Sequence, residues 1–316
     1  MASANRFLVI VRAGEKSLHA GWLHGSERNW DLVVSWYGDT PYERVADERV
    51  LVQKGAKWDV LAQHYAADPS LIADYDYHLL IDDDIATDCE TICRLFLLAE
   101  QHRLEISQPA LTPDSYFSHM PTLRAPSFLL RYSNFIEVMA PCLSRAALQR
   151  ILPWVADSPT GDGVDYVWCR LEADNRNRCA IIDAVPVRHT RPVGRFLKVR
   201  VEAMGIDPVL IRDAFPARFG IDHKQHEFRC YAGLSRHGRP RNLRQTWRHM
   251  LFDYLMTLPQ WMEPFRLRTL VRGFIQHRKP ASLGQAFSLY DGPLRLDERR
   301  LSAARPSVAD AELGSP

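Results

Sequence analysis

The chain has 316 residues, with 40 Lys or Arg against 38 Asp or Glu and a formal net charge of +2. That length suits one large α/β domain or a domain with an extension. The near-neutral balance gives no global charge argument for nucleic acid, and no apolar run reaches the ~18 residues of a membrane span.

The six cysteines, Cys89, Cys93, Cys142, Cys169, Cys179 and Cys230, form no CxxC pair and no zinc-type spacing. They read as reduced thiols of a cytoplasmic protein. No signal peptide is expected, because Met1 to Arg6 lead straight into an apolar run. That run, Phe7 to Val11, ends at Arg12-Ala13-Gly14 and predicts a buried parallel strand with a glycine turn at its carboxyl end. Trp30 to Gly38 reads as a second strand and Arg49 to Gln53 as a third. Gly55 to Tyr65 has helical spacing, through Trp58, Leu61, Ala62 and Tyr65.

His78 to Ile81 is the next strand, and Asp82, Asp83 and Asp84 follow it directly. Thr87 and Glu90 are spaced like a capping box before a helix carrying Ile92, Leu95, Phe96 and Leu98. Arg131 to Ala140 is expected to be a strand. Ser144 can cap a helix from Arg145 to Val155, Gly163 to Ala173 is expected to be a further helix, and Cys179 to Val187 a strand that ends at Arg188-His189. Alternating strands and helices predict a mostly parallel α/β sheet, which binds ligands at the carboxyl ends of its strands. The acidic triplet and His189 both fall there.

Three adjacent carboxylates repel one another, so their position after a core strand calls for a physical reason. Alternation along an extended chain points Asp82 and Asp84 one way and Asp83 the other. Two carboxylates on one side make a hard oxygen site suited to Mg²⁺ or Mn²⁺, and a divalent cation removes the repulsion. His189 can supply a further ligand. Helix capping is the plainer alternative, and it fits Thr87 and Asp88 better than Asp82 and Asp84. In Thr160-Gly161-Asp162-Gly163-Val164-Asp165, the glycines allow a tight turn and Asp165 falls in the first turn of the expected helix. A carboxylate there can deprotonate an acceptor hydroxyl or simply cap the helix.

These stretches together resemble glycosyltransferases of the GT-A type and, more closely, the family catalogued as domain of unknown function 707. The resemblance spans roughly residues 6 to 195. It rests on GEKSLH (14–19), WDLVVSWYGD (30–39), QKGAKW (53–58), YHLLIDDDI (77–85), ISQPAL (106–111), LRYSNFIEVMAP (130–141), GDGVDYVW (161–168) and VPVRHTRPVG (185–194). It implies a GT-A-like, Rossmann-type sheet flanked by helices, a nucleotide-sugar donor and a divalent metal on a DxD motif.

By that resemblance Asp82 faces the ribose or sugar, Asp84 ligates the metal and His189 completes its shell. Asp165 takes the place of the base in inverting members. The Gly14 to His19 loop, with Ser17 and His19, lies by the nucleotide, with Asp83 alongside; Lys57, and less directly Lys54, reach for phosphate. Arg131, Asn134 and Glu137 are acceptor-site candidates, although strand alternation puts Asn134 on the other face from Arg131 and Glu137. The family often has Gly-Trp-Gly at the glycine turn. Here Asp162 replaces the Trp, which makes Asp162 a rival base.

The expected function is therefore a metal-dependent transfer of a sugar to a hydroxyl, on a carbohydrate or lipid-linked acceptor. One rival is a non-catalytic module that keeps the fold for binding. Another is a haloacid-dehalogenase-type phosphatase, whose DxDx(T/V) pattern fails here because Ala86 holds the last position. After residue 195 the pattern changes. Leu243 to Leu255 and Leu267 to Ile275 repeat at helical spacing, and residues 236–279 hold ten Arg or Lys against Asp253 and Glu263. A domain over 1–195, a helical Arg-rich extension over 196–296 and a mobile tail over 297–316 are expected. The basic helices over 243–279 either pack on the domain or dock on an anionic membrane surface, which would make the protein membrane-peripheral.

Overall fold

The computed structural model describes residues 5–25, 27–155, 158–170, 177–192, 207–221, 229–261, 268 and 271. Strand β1 (Phe7–Ala13) is buried along its whole length, as its unbroken apolar run requires. It is followed by β2 (Trp30–Trp36), β3 (Arg49–Val52), helix α1 (Lys57–Ala67) and the short α2 (Ser70–Ala73). Next come β4 (Tyr77–Asp82), the two-residue β5 (Ile85–Ala86), α3 (Cys89–Gln101) and β6 (Ile106–Leu111). Then β7 (Phe128–Ser133), β8 (Cys142–Ser144), α4 (Arg145–Val155) and the long β9 (Cys179–His189) complete the span in which the sequence motifs fall. The described part closes with α5 (Pro208–Ala217), β10 (Cys230–Ser235), β11 (Pro240–Arg241) and α6 (Leu243–Thr257).

One sheet runs through the molecule in the order β11-β10-β7-β9-β6-β8-β4-β1-β2-β3, with β5 paired to β9 off this path. Strands β3, β2, β1 and β4 are all parallel, and so are β6 and β9. Strand β8 lies antiparallel between β4 and β6, and β7 and β10 add antiparallel pairings at the far side. The fold is thus α/β, a mixed sheet with a parallel core, flanked by helices and closed by a C-terminal helix. Register places Arg12 beside both Ser35 and Asp82, so the carboxyl ends of β1, β2 and β4 meet at one edge.

Several local expectations are corrected. The helix after the acidic cluster is capped by Asp88, whose Oδ1 accepts from the Thr91 amide at 2.7 Å, and not by a Thr87–Glu90 box. The strand expected over 131–140 ends at Ser133. Beyond it the backbone is held by other partners: the Asn134 amide by Arg229 O, Ile136 O by the Trp168 indole and the Glu137 amide by Gln108 Oε1. Chain alternation therefore does not relate Arg131 to Glu137. In place of a helix from Gly163 there are two single 3₁₀ turns, Val164–Tyr166 and Trp168–Arg170.

The segment read as purely helical contributes β10 and β11 to the main sheet, with α6 packed on β10 through Thr246, Met250, Asp253 and Tyr254. Ser144 does cap α4, accepting from the Ala147 amide at 3.1 Å. All six cysteines are free thiols. The boundary expected near 195, the repeat from Leu267 to Ile275 apart from Arg268 and Val271, and the tail from 297 lie outside the described residues.

Candidate active site

The acidic triplet spans the end of β4 and a two-residue turn into β5. As alternation requires, Asp83 is buried while Asp82 and Asp84 keep partial exposure. Asp83 points into the protein. Its Oδ2 accepts from the Gly14 amide at 2.9 Å and the Tyr37 hydroxyl at 3.1 Å, and its Oδ1 accepts from Arg191 at 3.2 Å. Burial still raises its pKa above the usual carboxylate range. Asp83 thus joins the glycine turn after β1, the end of β2 and the segment after β9.

Strand β5 accounts for the position of His189. Ile85 pairs with His189 and Ala86 with Arg188, and Asp84 O accepts from the Thr190 amide at 3.1 Å and its hydroxyl at 2.8 Å. This short ladder sets His189 Nε2 at 3.3 Å from Asp84 Oδ2. On the other side of the ring, Nδ1 lies 2.9 Å from Tyr116 O. A carbonyl only accepts, so Nδ1 carries the hydrogen. Nε2 and the Asp84 carboxylate then face each other with a proton or a cation between them. Burial pulls the His189 pKa down, but Asp84 outweighs it and the net shift is upward.

Asp82 is held differently. Lys57, from the first turn of α1, donates to Asp82 Oδ1 at 2.7 Å and also reaches Leu80 O, Val138 O and Met139 O. Desolvation raises the Asp82 pKa, Lys57 opposes the shift and Asp84 adds to it. Lys57 is therefore engaged with the acidic strand end, while Lys54 donates to Tyr37 O and Gly38 O and pairs with Asp39. Ser17 and His19 form an internal chain: Ser17 Oγ to His19 Nδ1 at 2.6 Å, His19 Nε2 to Tyr42 at 3.0 Å, and Tyr42 to Glu48 at 2.9 Å. Both ring nitrogens of His19 are thereby used.

The glycine turn has the tight geometry its sequence suggests. Gly161 and Gly163 have φ of 84° and 88°, and a Cβ on Gly161 would meet the Trp58 ring at 2.3 Å. Asp165 is buried in the 3₁₀ turn that follows. Its pKa is raised well above the usual value by burial, then by Glu137 and Asp162. Asp162 is only partly buried, and burial raises it against the pull of Thr160 and Arg212. Glu137 is pushed up to about 7 by burial, and it feels the charges of His189 and Asp82 as well as acting on Asp165. Among the described residues, Glu137 Oε2, Asp165 Oδ1 and Asp162 Oδ2 are buried with no hydrogen-bond partner. Orphaned acceptors of this kind are rare unless a ligand, ion or water meets them.

The other two acceptor candidates go elsewhere. Arg131 is wholly buried, bonded to Asp183 at 2.8 and 2.9 Å and to Tyr254, Pro121 O and Leu123 O. Asn134 is buried, and its Oδ1 accepts from the Arg229 amide at 2.7 Å. Of the three only Glu137 is coupled to the carboxylate cluster. The sequence reading missed Tyr37, Arg191 and Thr190, which fix the acidic turn. Arg191 and Thr190 directly follow His189, so the run HTR was the available signal.

Residues 29–131 match the family model described as Protein of unknown function (DUF707). The resemblance read from the quoted stretches is borne out over this segment. The match includes Lys57 and the acidic triplet and stops before Asp165 and His189. No curated protein matches the chain in sequence.

Solved structures similar to the chain include three glycosyl-transfer proteins, each at low identity. The mannosyltransferase PcManGT from Pyrobaculum calidifontis, in complex with GDP-Man and Mn²⁺, is 14% identical, with 94% of this chain and 84% of that chain covered and a TM-score of 0.44. Residues 1–349 of S. aureus TarS with UDP-GlcNAc are 10% identical, with 88% and 92% covered and a TM-score of 0.41. Glucosyl-3-phosphoglycerate synthase from Mycobacterium tuberculosis, with Mn²⁺, UDP-glucose and phosphoglyceric acid, is 13% identical, with 65% and 81% covered and a TM-score of 0.38.

Among the described residues, no group of three His, Cys, Asp or Glu side chains is arranged as a ready metal cage. The donor chemistry at Asp84 and His189 nonetheless fits a hard divalent cation. A carboxylate oxygen faces an imidazole nitrogen whose opposite N–H is fixed by a backbone carbonyl, the usual support for a metal-binding histidine. Their 3.3 Å separation is long for a charge-assisted hydrogen bond.

Proposed function

We propose that the chain is a metal-dependent glycosyltransferase that moves a sugar from a nucleotide-sugar donor to a hydroxyl acceptor. The observation that carries the reading is the β5–β9 pairing, which sets His189 against Asp84 at the carboxyl end of β4. That edge is where open α/β sheets bind their ligands.

Asp84 and His189, with Asp82, would hold Mn²⁺ or Mg²⁺. Such an ion would supply the positive charge that stabilises a leaving diphosphate. Asp83 positions the loop after β1, against which the nucleotide would lie. Lys57 orients Asp82 and favours its ionised form against the burial that raises its pKa. Asp165, with Asp162 as the alternative, would take the acceptor's proton. A carboxylate whose pKa is raised is a stronger base for that proton than an ordinary one. Glu137 shares the buried space with Asp165 and would orient the acceptor hydroxyl. The acceptor would be a carbohydrate or lipid-linked sugar, and a peripheral hold on a membrane through 243–279 would bring the protein to a lipid-linked one.

The test is release of nucleoside diphosphate from a panel of nucleotide-sugars with Mn²⁺. One donor should turn over, and Asp84→Ala or Asp165→Asn should lower the rate by about a hundredfold or more while the protein stays folded. Folded protein that releases nothing from any donor would favour the non-catalytic binding module.

A further inference from the structure

Helix α6 shows two unlike faces. Its inner face is fixed: Tyr254 bonds Arg131 at 2.9 Å, and Asp253 accepts from the Ser127 amide at 3.0 Å and its hydroxyl at 2.7 Å. Its outer face carries Arg244, Arg248, Phe252, Leu255 and Met256, whose spacing puts them on one side of a helix. Phe252, Leu255 and Met256 are 60%, 50% and 64% exposed. Arg244 and Arg248 are exposed at the amino-terminal half of the same face. Arg236 and Arg239 are exposed on the β10–β11 turn that leads into it. Among the described residues, none of these four arginines is paired with a carboxylate. In sequence the positive charge continues through Arg266, Arg268, Arg272, Arg278 and Lys279.

We propose that the outer face of α6 docks on an anionic lipid bilayer, with Phe252, Leu255 and Met256 entering the headgroup–acyl boundary and the arginines meeting the headgroups. Charge and hydrophobicity together select this occupant. A nucleic acid would use the arginines but not three clustered apolar side chains. A rigid helix that is apolar at one end and basic at the other fits the plane of a membrane surface. This inference sharpens the membrane part of the reading above. It rests on none of the acidic-site chemistry.

The experiment is sedimentation of the full chain with vesicles of phosphatidylcholine alone and with an equal mixture of phosphatidylcholine and phosphatidylglycerol. Binding is expected only to the anionic vesicles, and added salt should weaken it. Arg244→Gln with Arg248→Gln should weaken binding about thirtyfold. Phe252→Glu with Leu255→Glu should abolish it without lowering Tm.

The proposal is overturned if the wild-type chain stays in the supernatant, or if the Phe252 and Leu255 variant binds as well as wild type. A fall in Tm in that variant would show that the chain's own C-terminal residues cover the face. Loss of a dimer in light scattering would show that a second copy does. Both results also overturn the proposal. A chain that binds vesicles yet transfers no sugar leaves the docking face standing and removes the transferase reading.

Discussion

The two halves of the sheet are built on different physics. In the parallel half, Leu8, Val9, Ile10 and Val11 of β1 and Leu79, Leu80 and Ile81 of β4 are at most 1% exposed, and the core is mostly apolar. In the antiparallel half, β7, β9 and α6 close around a wholly buried Arg131–Asp183 pair. Asp183 Oδ1 also accepts from the Ala125 amide at 2.7 Å, and Arg131 is pushed further above its ordinary value by Asp183 despite the cost of burial. The first half rests mainly on hydrophobic residues of the right size, with Arg12, Ser35 and His64 as a small bonded polar group at its carboxyl end. The second needs every partner of a polar network in place, and it includes the wall that presents Glu137. The carboxyl-end site lies where the two halves meet.

The largest break in this comparison should come from Asp183→Ala. It leaves the Arg131 charge buried and unpaired, at about 3–5 kcal/mol. Replacing both partners together, Arg131→Met with Asp183→Leu, removes the unpaired charge but still strips the Ala125 amide and the Pro121 carbonyl of their partners, so it should cost less than that single change without being neutral, which denaturant unfolding of the three proteins would show. Asp253→Ala strips the partner from the half-buried Ser127 amide and hydroxyl and should cost about 1–3 kcal/mol. In the apolar half, Ile10→Val should cost only about 0.5–1.5 kcal/mol.

The smallest expected effect is a slope with pH. Glu137 ordinarily titrates at 4.5 and is pushed up to about 7, so the folded protein holds its proton more tightly than the unfolded chain. That contribution is full below about 4.5 and is lost as pH rises through about 7. Tm measured in chelator should fall across this window, and Glu137→Gln should flatten the fall.

The same contrast explains what the sequence revealed. β1 and β4 were legible because a strand buried on both faces is an unbroken apolar run. The place of Asp82 to Asp84 at the carboxyl end of β4 was legible because the run before them marks the strand. His189 was legible for the same reason, at the end of β9. Arg131 was not, because a strand arginine can face solvent or a distant partner, and Asp183 lies 52 residues away. The strand predicted through Ala140 failed because side chains of Gln108 and Trp168 and the Arg229 backbone take the hydrogen bonds a ladder would have used. Strand β10 escaped notice because it is six residues long and contains Gly233, whose Cα hydrogens let Phe128 and Leu130 O pack at close range.

The most direct test of the acidic site is thermal unfolding with Mn²⁺ and a panel of nucleoside diphosphates, on the wild-type chain and on Asp84→Ala. At 100 times its Kd a ligand adds about 2.7 kcal/mol, a rise of roughly 5–10 °C for a chain of this size. The predicted result is a rise with one nucleotide that requires Mn²⁺ and disappears in Asp84→Ala. No rise with any nucleotide, or an equal rise in Asp84→Ala, would contradict the assignment of Asp84 and His189 to a metal–diphosphate site.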